Sequence, residues 1–278
     1  MLLLNNQPIE SFLFSGGEHQ IKLPKDIKTE RVVLTWKPTS SCHITWLMLT
    51  VNALKHAGIS DIDLDILYLP YARQDRVCAP GEAFSLEVIC NMLDNLDVTF
   101  IRFWDVHNGE VTDTLLNHGS HCYIDAVDIF ARYKILDDFD LDNLILCAPD
   151  DGACERVNDI VDKFELGFPV VMKKERCFVT GKIIGMKPNQ YSRTGKGYNI
   201  LIIDDICDGG ATFLQAAEVL KSQGAVDLFL YVTHGIFSKG LEELQSTFKH
   251  IYCHHVLHDD KYQSNDFLTI LQEYPSVR

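Results

Sequence analysis

The chain has 278 residues (31.6 kDa), with 39 acidic against 25 basic side chains, a formal net charge of −14 and a pI of about 5.1. So acidic a surface argues against a duplex nucleic-acid partner, whose binding draws most of its affinity from Lys and Arg on phosphates, and against a polybasic membrane-surface role. With 46% hydrophobic residues and no apolar run near the roughly 18 residues of a spanning helix, the expectation is a soluble, ordered protein, of two domains by length.

The opening MLLLNNQ is too short an apolar stub for a signal peptide. Nine cysteines (Cys42, Cys78, Cys90, Cys122, Cys147, Cys154, Cys177, Cys207 and Cys253) form no CxxC pair and lie mostly in apolar runs. They read as reduced core thiols of a cytoplasmic protein. In chain order, β-branched and aromatic runs predict strands over 31–36, 63–71, 98–105, 143–148, 169–173, 199–204, 227–233 and 250–256. Helical spacing falls between them, over 46–56, 85–95, 153–164, 211–223 and 239–248. This alternation predicts parallel sheets covered by helices. The charged stretch LDDFDLDN suggests a boundary that makes 1–138 and 139–278 two similar α/β domains.

Chemistry concentrates in NILIIDDICDGGAT, residues 199–212. An apolar strand ends in Asp204 and Asp205, and a loop of Asp208, Gly209, Gly210, Ala211 and Thr212 leads into a helix. Glycines let backbone N–H groups approach an anion, and the helix N-terminus adds partial positive charge, which suits a phosphate. The paired acids suit sugar hydroxyls or a hydrated Mg²⁺. The stretch has neither the Lys-Ser/Thr of a P-loop nor a GxGxxG pattern. It resembles the phosphoribosyl-diphosphate motif of type I phosphoribosyltransferases, a superfamily that includes the ribose-phosphate pyrophosphokinases.

Further segments choose between those two. YLPYARQDR places Arg73, Gln74, Asp75 and Arg76 after a strand and resembles the ATP-binding segment of the pyrophosphokinases. Asp105-Val106-His107 matches their Asp-x-His, and APDDGACER, with Asp150, Asp151 and Gly152, their diphosphate loop. Lys174-Glu175-Arg176 matches the Lys-x-Arg at the base of their mobile catalytic loop. FSGGE, from Phe14 to Glu18, is similar to the segment that reaches ATP from a neighbouring subunit, while Thr233-His234-Gly235 matches a segment read as packing.

On these segments, in order from about Phe14 to about Phe237, the chain is identified as a member of the ribose-phosphate pyrophosphokinase family. The resemblance implies two tandem type I phosphoribosyltransferase-like domains and transfer of the β,γ-diphosphate of MgATP to the 1-hydroxyl of ribose 5-phosphate. It implies ATP held by Phe14, Glu18, Arg73, Gln74, Asp75, Arg76 and His107, with Mg²⁺ on His107 and Asp150. It also implies a diphosphate loop at Asp150, Asp151 and Gly152, sugar-phosphate binding by Asp204, Asp205 and 208–212, and Lys174 and Arg176 in catalysis. A homo-oligomer, from dimer to hexamer, goes with it.

Four departures qualify the resemblance. The N-terminus leaves no room for the usual strand and helix before Phe14, the arginine-rich insert after Arg76 is missing, and Gly16 stands where Asp is usual. The sugar-phosphate loop has Gly209 and Ala211 where the family usually has Thr and Gly, so a phosphate-binding hydroxyl is lost and the loop is expected to widen. A larger acceptor such as ADP-ribose is the alternative this opens. A phosphoribosyltransferase and a catalytically silent regulatory relative are the other readings, although Lys174, Arg176, His107 and Asp150 are all in place.

Overall fold

The computed structural model describes residues 1–25, 27, 29–176, 183–189, 195–258 and 260–271. The chain divides into two compact α/β units, Met1–Ile124 and Asp125–Gln272. The division precedes the LDDFDLDN stretch, so 138/139 is not where the units part. The reason is the helix over Ala126–Tyr133: its Phe130 ring meets Tyr231 edge-on, 4.5 Å between centroids, and this contact ties the helix to the second unit. LDDFDLDN itself forms two short 3-10 turns.

The first unit contains β1 (Leu2–Leu4), β2 (Gln7–Pro8), the β3 (Glu10–Leu13) and β4 (His19–Lys22) hairpin, β5 (Arg31–Trp36), α1 (Cys42–His56), β6 (Asp61–Ile66), α2 (Ser85–Asp94), β7 (Phe100–Trp104), α3 (Gly109–Leu115) and β8 (His121–Ile124). Its main sheet has the order β2-β1-β5-β6-β7-β8, parallel from β5 to β8. The opening apolar stub is a strand after all: Leu2, Leu3 and Leu4 are buried and pair antiparallel with 34–36. Asn5 and Asn6, both at positive φ, make the two-residue hairpin turn for which Asn is suited.

Helices α1 and α2 bury Leu47, Thr50, Val51 and Leu54, and Leu86, Ile89, Cys90 and Leu93. This i, i+3, i+4, i+7 spacing is one helix face. In β6 the alternation DIDLDI sends Ile62, Leu64 and Ile66 into the same core as those helices. Asp63 and Asp65 alternate with them and pair with Arg31 (2.7 Å) and Arg102. The strand stops at Ile66 rather than running on to Tyr71; Pro70, with no N–H to donate, and Tyr71, at φ +64°, could not have extended it.

The second unit follows the Ala126–Tyr133 helix (α4) with β9 (Leu144–Ala148), α5 (Cys154–Lys163), β10 (Val170–Arg176), β11 (Ile183–Pro188), β12 (Asn199–Cys207), α6 (Ala211–Ser222), β13 (Leu228–Gly235), α7 (Glu242–Thr247), β14 (His250–Val256) and β15 (Leu268–Ile270). Its sheet has the order β11-β10-β9-β12-β13-β14-β15, parallel except for β11. Strand β12 is fully buried over 200–203 and reads as an unbroken apolar run, as a strand covered on both sides must. Phe213, Ala216, Ala217 and Leu220 turn one face of α6 to the core that holds Ile200 and Ile202, while Val157, Ile160 and Val161 form the buried face of α5. Each Leu or Ile so buried contributes about 1.5–3 kcal/mol. Helix α7 begins at Glu242, later than the 239 expected, because Phe237 (φ +48°) and Gly240 (φ +81°) hold the chain in a tight turn.

Among the described residues, no helix is long and apolar enough to cross a membrane, and eight cysteines are free thiols. Cys177 lies outside the described residues.

Candidate active site

The sheet order of the second unit decides where a ligand can sit. The chain leaves β9 through α5 towards β10 and leaves β12 through α6 towards β13, so adjacent parallel strands send their connections in opposite directions. Such a reversal opens a crevice at the carboxyl ends of the two strands, the usual binding place in α/β sheets. The loops that enter it are 149–153, after β9, and 208–210, after β12. Those are the loops the sequence singled out.

In the first loop Asp150 folds back so that its Oδ1 accepts from the Gly152 amide (3.0 Å), while Oδ2 accepts from Lys174 Nζ (2.6 Å). Lys174 reaches it because β10 runs beside β9 in parallel register. Both side chains are about a quarter exposed or less, at 21% for Lys174 and 26% for Asp150, so the pair lies in the crevice wall. Asp151 and Gly152 are exposed. Arg176 ends β10, and its side chain, with 177–182 of the expected catalytic loop, lies outside the described residues.

In the second loop the acids are not at the strand end. Strand β12 continues to Cys207, paired with β13 through Ile206 and Cys207, so Asp204 and Asp205 sit inside the sheet. Asp205 is buried, and its amide donates to Asp204 Oδ1 (2.9 Å). Burial, and next the charge of Asp205, push the Asp204 carboxyl well above its ordinary value; Arg156, with a guanidinium nitrogen 3.8 Å from Asp204 Oδ1, opposes this. A carboxylate held so reluctantly in its charged form gains from hydroxyl donors or a cation.

Gly210 caps α6 at φ +76°, a conformation in which a Cβ would be strained and would also meet Leu244 at 3.1 Å. With no side chain capping it, the first turn of α6 presents its N–H groups to the crevice. Ala211 is exposed there and Thr212 half-buried. Gly209 does not widen the loop as expected. The methylenes of Lys239 fill its side-chain position, with Cδ and Cε 3.3 Å from where a Cβ would stand. Asp208 is held by Ser238, whose amide donates to the Asp208 carbonyl (3.1 Å) and whose hydroxyl donates to its carboxylate (2.6 Å). His234 is buried and hydrogen-bonded to His255 across β13 and β14 (3.0 Å), a packing position.

In the first unit, the YARQDR segment follows β6 and Asp105-Val106-His107 follows the adjacent β7. The structure joins them: Asn108 Nδ2 donates to Asp75 Oδ2 (2.8 Å), while Asn108 Oδ1 caps α3 by accepting from the Val111 amide (3.1 Å). Arg73, Gln74, Arg76 and His107 are exposed around this tie. Phe14 and Glu18 lie at the exposed turn of the β3–β4 hairpin, with Phe14 edge-on to Phe12 at 5.2 Å. A Cβ at position 16 would stand 2.8 Å from the Glu18 carboxylate, so Gly16 leaves room for that side chain to fold over it.

Arg156, Asn108, Ser238 and Lys239 were not picked out from sequence. Arg156 carried a signal, since a cation in the first turn of a helix opposes the dipole and needs a partner. Asn108 carried one as an Asn N-cap before a helical run. Ser238 and Lys239 carried none.

Comparison with known proteins gives a consistent picture. A sequence profile described as the N-terminal domain of ribose phosphate pyrophosphokinase matches residues 2–96, and one described as the phosphoribosyl synthetase-associated domain matches 192–252. The ribose-phosphate pyrophosphokinase of Pyrococcus abyssi is 33% identical over 237 residues, covering 84% of this chain and 79% of its own. That of Pyrococcus furiosus is 32% identical, covering 84% and 80%. The crystal structure of phosphoribosylpyrophosphate synthetase from Mycobacterium smegmatis superposes with a TM-score of 0.76 at 19% identity, covering 95% of this chain and 85% of that one. This last likeness is one of fold.

Proposed function

Because this chain belongs to the ribose-phosphate pyrophosphokinase family, we propose that it moves the β,γ-diphosphate of ATP to the anomeric 1-hydroxyl of ribose 5-phosphate, releasing AMP. The observation that carries this reading is the crevice between β9 and β12, into which the Asp150 loop, Lys174, Asp204 and the uncapped start of α6 all project.

The reaction is in-line substitution at the β-phosphorus, so catalysis is mostly positioning and charge stabilisation. Asp204 and Asp205 accept hydrogen bonds from the ribose hydroxyls, and Asp208, Gly209, Gly210, Ala211 and Thr212 cradle the 5-phosphate with backbone N–H groups. The Asp151 amide serves the diphosphate, on the loop that the bond from the Gly152 amide to Asp150 closes. Lys174, held on Asp150 at 2.6 Å, turns to the oxygens on which charge grows, with Arg176 beside it in sequence. Arg73, Gln74, Asp75, Arg76 and His107 hold ATP. Phe14 and Glu18, exposed on their hairpin, serve the ATP of a second copy of the chain in a homo-oligomer.

The donor set fits magnesium brought in with ATP. Among the described residues no three His, Cys, Asp or Glu side chains form a ready-made metal site, and magnesium is commonly held by one or two protein groups plus phosphate oxygens and waters. On the family resemblance His107 is a candidate ligand in the first unit and Asp150 a candidate ligand in the second, each taken by itself. When bound, the ion neutralises phosphate charge.

A second reading, the same transfer onto ADP-ribose, is favoured by one feature. Neither Gly209 nor Ala211 offers a hydroxyl to a terminal monophosphate. The test is to incubate the protein with MgATP and either acceptor and follow phosphorus NMR and mass. AMP with a new 1-diphosphate on ribose 5-phosphate supports the first reading, and product from ADP-ribose alone the second. AMP from neither overturns both.

A further inference from the structure

The loop proposed to hold the 5-phosphoryl group of the acceptor carries no hydroxyl at Gly209, and the structure offers a replacement from outside the loop. The turn after β13 lies along the sugar-phosphate loop and is fixed to it at several points. The amides of Ile236 and Phe237 donate to the Cys207 carbonyl (2.8 and 3.1 Å), and Ser238 makes two bonds to Asp208. The Phe237 ring is buried, and its carbonyl accepts from the Tyr262 hydroxyl (2.8 Å).

The next residue, Lys239, therefore leaves a rigid turn. Its stem lies on Gly209, with Cγ, Cδ and Cε at 3.5, 3.3 and 3.3 Å from the position of a Cβ there. A carbon–nitrogen bond of about 1.5 Å puts the ammonium within about 5 Å of that point. The nearest loop carboxylate, Asp208, is bonded to the Ser238 hydroxyl, and Lys239 makes no hydrogen bond or ion pair among the described residues. A side chain of this kind rests its methylenes on a surface and keeps its charge for an anion.

We propose that Lys239 is a specificity-determining residue that binds the 5-phosphoryl group of the acceptor sugar, and that Gly209 is glycine to let its stem lie flat. The inference rests on the sugar-phosphate reading of residues 208–212. It accounts for the substitution at Gly209 from both sides: the position forfeits a neutral hydroxyl, and the space released admits a full positive charge. A point charge tolerates either one or two phosphoryl groups, so ribose 5-phosphate and ADP-ribose are both compatible acceptors.

The experiment compares wild type with Lys239→Met, Lys239→Ala and Lys239→Arg in the full chain. It combines calorimetric binding of ribose 5-phosphate, ADP-ribose and unphosphorylated ribose with the KM for ATP and for acceptor. Met keeps the stem on Gly209 and removes only the charge. Its expected effect is a loss of about 10- to 100-fold in affinity for a phosphorylated acceptor, the range of a charged hydrogen bond. Binding of plain ribose and the KM for ATP stay as in wild type, and Arg restores affinity.

Unchanged affinity for both phosphorylated sugars in Lys239→Met overturns the proposal. So does a loss confined to Lys239→Ala, which would make the stem's packing the cause. If wild type binds acceptor without releasing AMP from ATP, the proposed reaction fails, while the same comparison still decides the role of Lys239. If wild type binds neither phosphorylated sugar, both fall.

Discussion

Arg156→Met tests the electrostatic account of the proposed acceptor site. In the folded chain the Asp204 carboxyl is already raised, first by burial and then by the neighbouring charge of Asp205, and Arg156 is the largest opposing influence. The pair is separated by 3.8 Å, with side-chain exposures of 12% and 16%, so solvent screens it only partly. Two unit charges near 4 Å interact by about 4 kcal/mol at an effective dielectric of 20, and opposite-charge neighbours typically move a carboxyl by about 1–3 pH units.

Methionine preserves much of the volume and removes the charge that opposes the shift, so the Asp204 carboxyl should rise further. Sugar hydroxyls need the ionised carboxylate as acceptor, so kcat/KM for the acceptor falls as pH drops through the folded-state value. In Arg156→Met that acidic limb moves to higher pH. The linked stability effect has a definite sign: a carboxyl raised on folding supports the fold while protonated and loses that support as pH rises through its folded value. The melting temperature of the variant should therefore drop more at neutral and alkaline pH than in acid. A uniform fall in kcat/KM with an unmoved acidic limb would refute the reasoning and make Arg156 a direct substrate contact.

Asp204→Asn keeps the Oδ1 that accepts from the Asp205 amide while removing a costly charge. It should abolish acceptor turnover and stabilise the chain at neutral pH by about 1 kcal/mol, seen as a rise of roughly 2–4 °C in Tm; a lowered Tm contradicts the assignment. Lys174→Met should cut kcat by about 10²–10³-fold with much less effect on the KM for ATP. An unchanged kcat removes Lys174 from the chemistry. Asn108→Ala loses both the α3 cap and the bond to Asp75, and should cost about 1 kcal/mol of stability while raising the KM for ATP. If only stability changes, the ATP segment is positioned by other contacts.

Much of the architecture was legible in the chain because it rests on periodicity. The helix faces of α1, α2, α5 and α6 and the apolar run of β12 declare their burial at short range. Short elements escaped: β1 has three residues and α3 seven, too few for a pattern, and they are specified by partners such as β5 and by the Asn108 cap. The helix α4 was missed as well, and with it the place where the units divide, since its allegiance is set by Phe130 on Tyr231, far away in sequence.

Sequence by itself determined the chemical inventory: an acidic pair beside a glycine loop, an Asp-Asp-Gly turn, a Lys-x-Arg, and an arginine-containing segment before an Asp-x-His. Local chemistry of this kind is written in consecutive residues. Tertiary structure alone decided that β9 and β12 are neighbours whose connections diverge, that Asp204 is raised by burial and opposed by Arg156, and that Lys239 occupies the space of Gly209. Those facts depend on strand order and on side chains tens of residues apart. A through-space distance or a desolvation cost exists only once the sheet has assembled.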